Sequence, residues 1–181
     1  MSQLKNDIYT IDDIYALPNG VRAELIDGII YDMAPPTTLH QELLMELSSE
    51  IRNYIKKNEG IYKVYPAPFA VFLNADDKTY VEPDISVICN KDKLTDKGYN
   101  GAPDWIIEIV SPSTKKMDYG TKLFKYRTAG VREYWIVNPI TKVVNVYDLE
   151  NDELTYQYSF SDYISSCIYR DLNINISALL K

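Results

Sequence analysis

The sequence predicts an α+β fold, a mixed central β-sheet flanked by helices, and three observations lead there. Leu39, Leu43, Leu47, Ile51, Tyr54 and Ile55 recur at helical spacing, giving one long amphipathic helix. Short β-branched runs, among them Ile85–Cys89, Trp105–Val110 and Tyr134–Val137, have the length of buried strands. Strands precede and follow a helix placed between two of these runs, which suits a mixed sheet better than strict strand-helix alternation.

Taken in order, Thr10 and Asp13 mark a helix start, and Ile11, Ile14, Tyr15 and Leu17 form a short amphipathic turn stopped by Pro18. Arg22–Ile26 and Ile29–Met33 flank Asp27-Gly28, a dipeptide that accepts positive φ in a two-residue hairpin turn. The long helix starts at Thr38 and ends with Lys56 and Lys57 before Gly60. Two strands bracket Pro66 to Pro68, and Asn74 to Lys78 turn toward Pro83 and Asp84. Lys91 to Gly101 reads as a polar connection. After the Glu108 strand, Ser113 or Thr114 is expected to cap a helix that continues to Ala129, with Gly130 behind it. Tyr134–Val137, Val143–Tyr147 and Leu154–Phe160 then form a meander around the acidic turn Glu150 to Glu153.

Composition narrows the function. With 181 residues, 46% hydrophobic and 25% charged, the chain is long enough for a sizeable core, and we expect one domain over residues 1–181. A net charge of −7 argues against a general nucleic-acid coating protein, so phosphate contacts must be local. Cys89 and Cys167 form no disulfide framework, the amino terminus is no secretory signal, and no window suits a bilayer. We therefore expect a soluble, cytoplasmic protein without membrane contact.

The chemistry concentrates around Glu108, an ionisable residue inside the apolar run Trp105, Ile106, Ile107, Ile109 and Val110. A buried carboxylate is costly unless paired. Asp84 opens another apolar strand, so two carboxylates can meet at adjacent strand ends and share a divalent cation. Strand alternation puts Glu108 on the face of Ile106 and Val110, and the Ile109 carbonyl supplies a third oxygen. The expected metal set is therefore Asp84, Glu108 and Ile109, with Mg2+ as the cation and Mn2+ as its substitute. Other uses of these residues are bland: Asp84 can cap the turn after Pro83, and Glu108 can pair structurally with a base. His40, the single histidine, sits near the start of the long helix and is kept as a group for proton transfer.

The motifs ELIDG from Glu24, VEPDISVI from Val81, DWIIEIVSPST from Asp104 and KLFKYRTAGVREYWIVNP from Lys122 resemble, in order, those of the Uma-two family within the PD-(D/E)xK nuclease superfamily. The resemblance covers roughly residues 10 to 150. It implies a restriction-endonuclease-like fold and a Mg-dependent endonuclease that hydrolyses DNA phosphodiester bonds. It also implies four catalytic residues: Glu24 as the upstream acid, Asp84 and Glu108 as the metal acids, and Lys122 as the lysine. The superfamily lysine belongs two positions after the last acid, where this chain has Val110, so Lys122 on the next helix is the matching candidate. Glu24 otherwise reads as an exposed hairpin acid, and Lys122 lies four residues after Asp118, the spacing of a solvated pair. Lys115, Lys116, Lys122, Lys125, Arg127 and Arg132 make a basic stretch suited to phosphates, and Tyr119 and Tyr126 are candidates for base stacking or packing. The partner is expected to be DNA, and analogy with enzymes that cut both strands adds a homodimer. The alternative is a nuclease-like module that binds nucleic acid or protein without cutting.

Overall fold

The computed structural model describes residues 8–112, 114–151 and 154–181. The chain begins with helix α1 (Ile11–Tyr15), where the Asp13 carboxylate accepts from the Thr10 N–H at 2.7 Å. The hairpin β1 (Ala23–Ile26) and β2 (Ile29–Asp32) turns on Asp27 and Gly28, at φ 51° and 77°. Both values are positive, as a two-residue turn of this hand requires. Helix α2 (Thr38–Lys57) follows, its His40 N–H capped by the Thr37 hydroxyl.

Next come β3 (Lys63–Pro66), β4 (Val71–Phe72), β5 (Ile85–Ile88), β6 (Leu94–Thr95), β7 (Gly98–Asn100) and β8 (Trp105–Ile109). A π-helical turn, Met117–Lys122, leads into α3 (Leu123–Ala129). The chain closes with β9 (Glu133–Asn138), β10 (Val143–Asp148), β11 (Leu154–Ser159), β12 (Ile164–Ser165), β13 (Asn173–Ile174) and α4 (Ile176–Leu179).

The central sheet has the order β11-β10-β9-β8-β5-β3, in which β8 and β9 are parallel and the other neighbours antiparallel. Parallel neighbours need a crossover, and the segment holding α3 supplies it over one face of the sheet. Strand alternation sorts the core into two layers. Trp105, Ile107, Ile109, Trp135 and Val137 pack with Leu43, Leu47 and Ile51 of α2 and with the carboxyl-terminal Ile164, Leu172, Ile174 and Ile176. Ile106, Val110, Tyr134 and Ile136 face the other way, toward Tyr126 of α3, Ile26 and Val81. A third cluster, Ile14, Ala23, Leu25 and Tyr80, fastens α1 to the hairpin.

The structure corrects several expectations. The crossover helix is π-helical over Met117–Lys122 rather than continuous α-helix. Its start is fastened by Ser111 and Thr114 bonded to each other, with the Thr114 N–H on the Ser111 hydroxyl and the Ser111 N–H on the Thr114 hydroxyl. Ser113 lies outside the described residues, as do Asp152 and Glu153 of the expected acidic turn. Leu39 is exposed, and Leu44 takes the buried position on α2 instead. The connection Lys91 to Gly101 contains the hairpin β6–β7, which joins β4 in a small sheet. Strands of two or three residues are too short to leave a periodic signal.

Candidate active site

The antiparallel register of β5 and β8 joins Ile85 to Ile107, so one step further along it brings Asp84 to the end of β8 beside Glu108. The Asp84 N–H points to Glu108 Oε2 at 3.4 Å, and Asp84 Oδ2 accepts from the Ile109 N–H at 2.7 Å. The same Oδ2 lies 3.2 Å from His40 Nε2. The first turn of α2 thus reaches the strand ends, and Asp84 and His40 form the more open side of the group.

Glu108 lies on the face of Ile106 and Val110, buried under the crossover helix. Its Oε1 accepts from Lys122 Nζ at 2.9 Å and from the Tyr126 hydroxyl at 2.7 Å. Lys122 also contacts Glu24, with Nζ 3.0 Å from Oε1 and 2.8 Å from Oε2. Glu24 Oε1 accepts in addition from the Glu82 N–H at 2.9 Å, tying the hairpin to the segment that carries Pro83 and Asp84. The four residues expected from the sequence, Glu24, Asp84, Glu108 and Lys122, therefore converge, with Ile109 next to them.

Two expectations fail at this point. Glu24 is 5% exposed and Lys122 4%, so neither is a surface residue, and the Asp118–Lys122 pair is buried rather than solvated. The basic stretch is also divided. Lys122 points inward, Lys125 pairs with Asp27, and Arg132 pairs with Glu150 and Asp104. Lys115 and Lys116 are exposed at the amino-terminal end of the crossover helix. Tyr126 packs and binds Glu108, which removes it from base stacking.

Asp118 was missed as a member of this group. It is 2% exposed, with Oδ1 4.0 Å from Lys122 Nζ. The signal was available in the spacing of Asp118, Lys122 and Tyr126, four residues apart on one face, while Phe124 between them is exposed.

Three carboxylates, Glu24, Glu108 and Asp118, thus surround one ammonium, and Asp84 adjoins them beside Glu108. Burial pushes the Glu108 carboxyl up to about 8, with Lys122 opposing and Asp84, Asp118 and Glu24 adding to the rise. Burial likewise lifts Asp118 to about 6 against the pull of Lys122. For Lys122, burial works against the charge, but Glu108, Glu24 and Asp118 outweigh it and hold the ammonium firmly protonated. Burial also opposes charge on His40, and the bond and charge of Asp84 prevail, raising it. The acids together keep a proton near neutrality that belongs to the group rather than to one residue.

The donor set fits a hard divalent cation. Among the described residues, no group of three His, Cys, Asp or Glu side chains forms a ready-made metal cage. Mg2+ needs no such cage, since one or two carboxylates and several waters suffice. Asp84 Oδ2 and Glu108 Oε1 are occupied by short bonds from protein donors, whereas Glu108 Oε2 takes only the long 3.4 Å bond from the Asp84 N–H, which leaves it and Asp84 Oδ1 at the meeting of the two strands. A cation there would also offset the surplus negative charge.

Comparison with known proteins agrees with this architecture. A crystal structure described as "a putative nuclease belonging to DUF820" from Anabaena variabilis superposes with a TM-score of 0.75 at 23% identity, over 94% of this chain and 96% of that one. The two share the restriction-endonuclease-like fold. Two uncharacterised proteins of Synechocystis sp., slr1290 and sll1609, are 25% and 26% identical over 77% and 72% of this chain, and 73% and 74% of their own lengths. The sequence pattern of the family Uma2, described as "Putative restriction endonuclease", matches residues 11–172. The chain belongs to the Uma2 family.

Proposed function

We propose that this protein is a Mg-dependent endonuclease that hydrolyses DNA phosphodiester bonds. The observation that carries the reading is the meeting of Asp84 and Glu108, with Glu108 Oε2 held only by a long 3.4 Å bond, beside the Lys122 ammonium. Asp84, Glu108 and the Ile109 carbonyl would hold the metal, with Mn2+ as a substitute. A divalent ion bound there would polarise the phosphoryl group and acidify a bound water.

The remaining steps belong to the protein. Glu24 holds Lys122 through both of its carboxylate oxygens and so fixes the direction of the ammonium. Lys122 then donates to the attacking water or to a phosphate oxygen as negative charge develops. The water oxygen bonds to phosphorus, one ester P–O bond breaks, and the leaving alcohol takes up a proton. His40, bonded to Asp84 on the open side, is placed to relay that proton. The exposed Lys115 and Lys116 receive backbone phosphates at the mouth. Cutting both strands requires two such sites, which a homodimer would bring together.

Supercoiled plasmid incubated with the protein and Mg2+ or Mn2+ tests this reading. We expect nicked or linear DNA with metal, and intact plasmid with chelator or with Asp84→Ala. Metal-independent retention of DNA without any cutting would overturn the enzyme reading in favour of a binding module. Equal cleavage by wild type and Asp84→Ala would remove the site.

A further inference from the structure

The crossover helix turns a polar stripe toward the sheet, and one member of that stripe, Asp118, keeps a carboxylate oxygen without a hydrogen-bond partner although Thr114 stabilises its charge. Lys122 and Tyr126 both bond to Glu108. Asp118 is buried beside them, yet its Oδ1 stands beyond hydrogen-bond distance of Lys122 and its Oδ2 has no hydrogen-bond partner. Its backbone does not depend on the carboxylate, because the N–H donates to the Thr114 carbonyl at 2.9 Å and the carbonyl accepts from the Tyr134 hydroxyl at 3.1 Å. A buried, half-satisfied carboxylate costs stability, and such groups call for an explanation. The surrounding π-helical turn, Met117–Lys122, is a rare conformation that recurs at functional sites.

We propose that Asp118 is a positioning residue that acts through Lys122, keeping the ammonium seated while Glu108 serves a metal ion. This rests on the metal-dependent reading above. Lys122 is held by Glu24 on one side and Glu108 on the other. If Glu108 shares its charge with a divalent cation, its hold on Lys122 weakens while the cation repels the ammonium. Glu24 alone would draw Lys122 toward the hairpin and away from the reacting phosphate. Asp118 lies on the helix of Lys122, one turn back, so it moves with the lysine and supplies a second anion that the metal does not claim. Its distance of 4.0 Å suits this role, being close enough to attract and too long to lock the side chain.

The test is a double-mutant cycle of Asp118→Asn and Lys122→Met, with Asp118→Glu as the conservative variant, read by kinetics and by denaturation. With Mg2+ and plasmid DNA, Asp118→Asn should lower kcat roughly ten- to a hundredfold. KM for DNA and the Mg2+ concentration that gives half of the thermal shift should not move. Asp118→Glu should recover part of the loss, and Asp118→Asn should cost nothing more in the Lys122→Met background. In urea, without metal, Asp118→Asn should lower the midpoint relative to its effect in the Lys122→Met background, where the carboxylate has lost its cation. Wild-type kcat in Asp118→Asn, an equal loss with and without Lys122, or additive urea midpoints would overturn the proposal. A wild type inert toward both Mg2+ and DNA would overturn the nuclease reading and this one with it. Wild-type cleavage alongside an unaffected Asp118→Asn would sink the Asp118 role alone.

Discussion

Glu108 and Glu133 are both buried glutamates on the two parallel strands of the sheet, yet their surroundings differ in kind. Glu133 lies at the start of β9, on the face packed against the carboxyl-terminal segment. It accepts from Trp135 Nε1 at 2.6 Å, the Ser166 hydroxyl at 2.8 Å, and the Cys167 and Ile168 N–H groups at 2.9 Å each. All four donors are neutral, and no second acid is among them. Glu108 lies toward the far end of β8, on the opposite face, among three other carboxylates and one ammonium. Burial pushes both carboxyls upward. At Glu133 four hydrogen bonds oppose that push, although burial still leaves the carboxyl raised, and they make it a clasp between sheet and chain end. At Glu108 the charges leave a surplus that protein groups do not resolve. Burial alone therefore does not distinguish a structural acid from a functional one; the count of donors and competing acids around it does.

The sharpest way to break this comparison is to neutralise each glutamate in place. Glu108→Gln should lower Mg-dependent cleavage by about a thousandfold or more, since a metal ligand supports several kcal/mol of transition-state stabilisation. The protein should remain folded. Mg2+ should raise the thermal midpoint of wild type and of Glu133→Gln, but not of Glu108→Gln or Asp84→Ala. Cleavage retained by Glu108→Gln would place it in the same class as Glu133.

Glu133→Gln should act on the fold instead. The amide turns an N–H group toward at least one of the four donors and leaves it unpaired, at a cost of about 3 kcal/mol. For a chain of this size, that lowers the thermal midpoint by roughly 6–12 °C. Cleavage per folded molecule should be close to wild type. A normal midpoint in this variant, measured by circular dichroism, would show that the clasp is not needed.

The two glutamates also differ in how far the sequence revealed them. Glu108 was legible because it interrupts an apolar run, and alternation then set its face correctly with Ile106 and Val110. The Asp27-Gly28 turn was legible because few residues accept positive φ. Glu133 was not singled out, since the strand was read from Tyr134; extending the alternation of Trp135 and Val137 back by one step would have turned it inward. The pairing of Asp118 with Lys122 was ambiguous for a general reason. Spacing of four describes a buried polar stripe as well as a solvated pair, and only the packing of the helix against a strand that carries its own acid decides between them. The short strands β6, β12 and β13 left no local signal, because their positions are set by tertiary pairing.

A pH series on metal-free protein sharpens the electrostatic half of the comparison. Glu108 is raised to about 8 and Asp118 to about 6, above the usual carboxylate range they keep in the unfolded chain. Between those limits the folded state holds more protons than the unfolded state, so its stability must fall as pH rises. The contribution is fully present below the unfolded values and is lost through about 6 for Asp118 and about 8 for Glu108. The raised His40 acts in the same direction. We expect the free energy of unfolding by urea to drop by roughly 1–2 kcal/mol between pH 6 and 8. Glu108→Gln should flatten that drop and be at least as stable as wild type at pH 8. Stability that rises over this interval would contradict the surplus of acid at the site.

The smallest effect separates the two ends of the crossover. Lys115 and Lys116 are exposed at the amino-terminal end of the crossover, which follows the Glu108 strand in the chain, whereas Arg132 lies past the other end, just before Glu133. Arg132 is already engaged, with Glu150 at 2.9 Å and 3.1 Å and the Tyr62 hydroxyl at 3.0 Å. If DNA approaches the Glu108 end, Lys115→Ala and Lys116→Ala should each remove about one unit from the slope of log binding constant against log salt. Arg132→Ala should leave that slope unchanged and cost no more than about 1 kcal/mol of stability, the range of partly exposed ion pairs. The measurement is fluorescence anisotropy of a labelled duplex over a salt series, made with Ca2+ in place of Mg2+ so that binding is read without turnover. Equal slope losses at both ends would mean that DNA runs the length of the helix, and the Glu133 end would then be part of the binding surface rather than only a clasp.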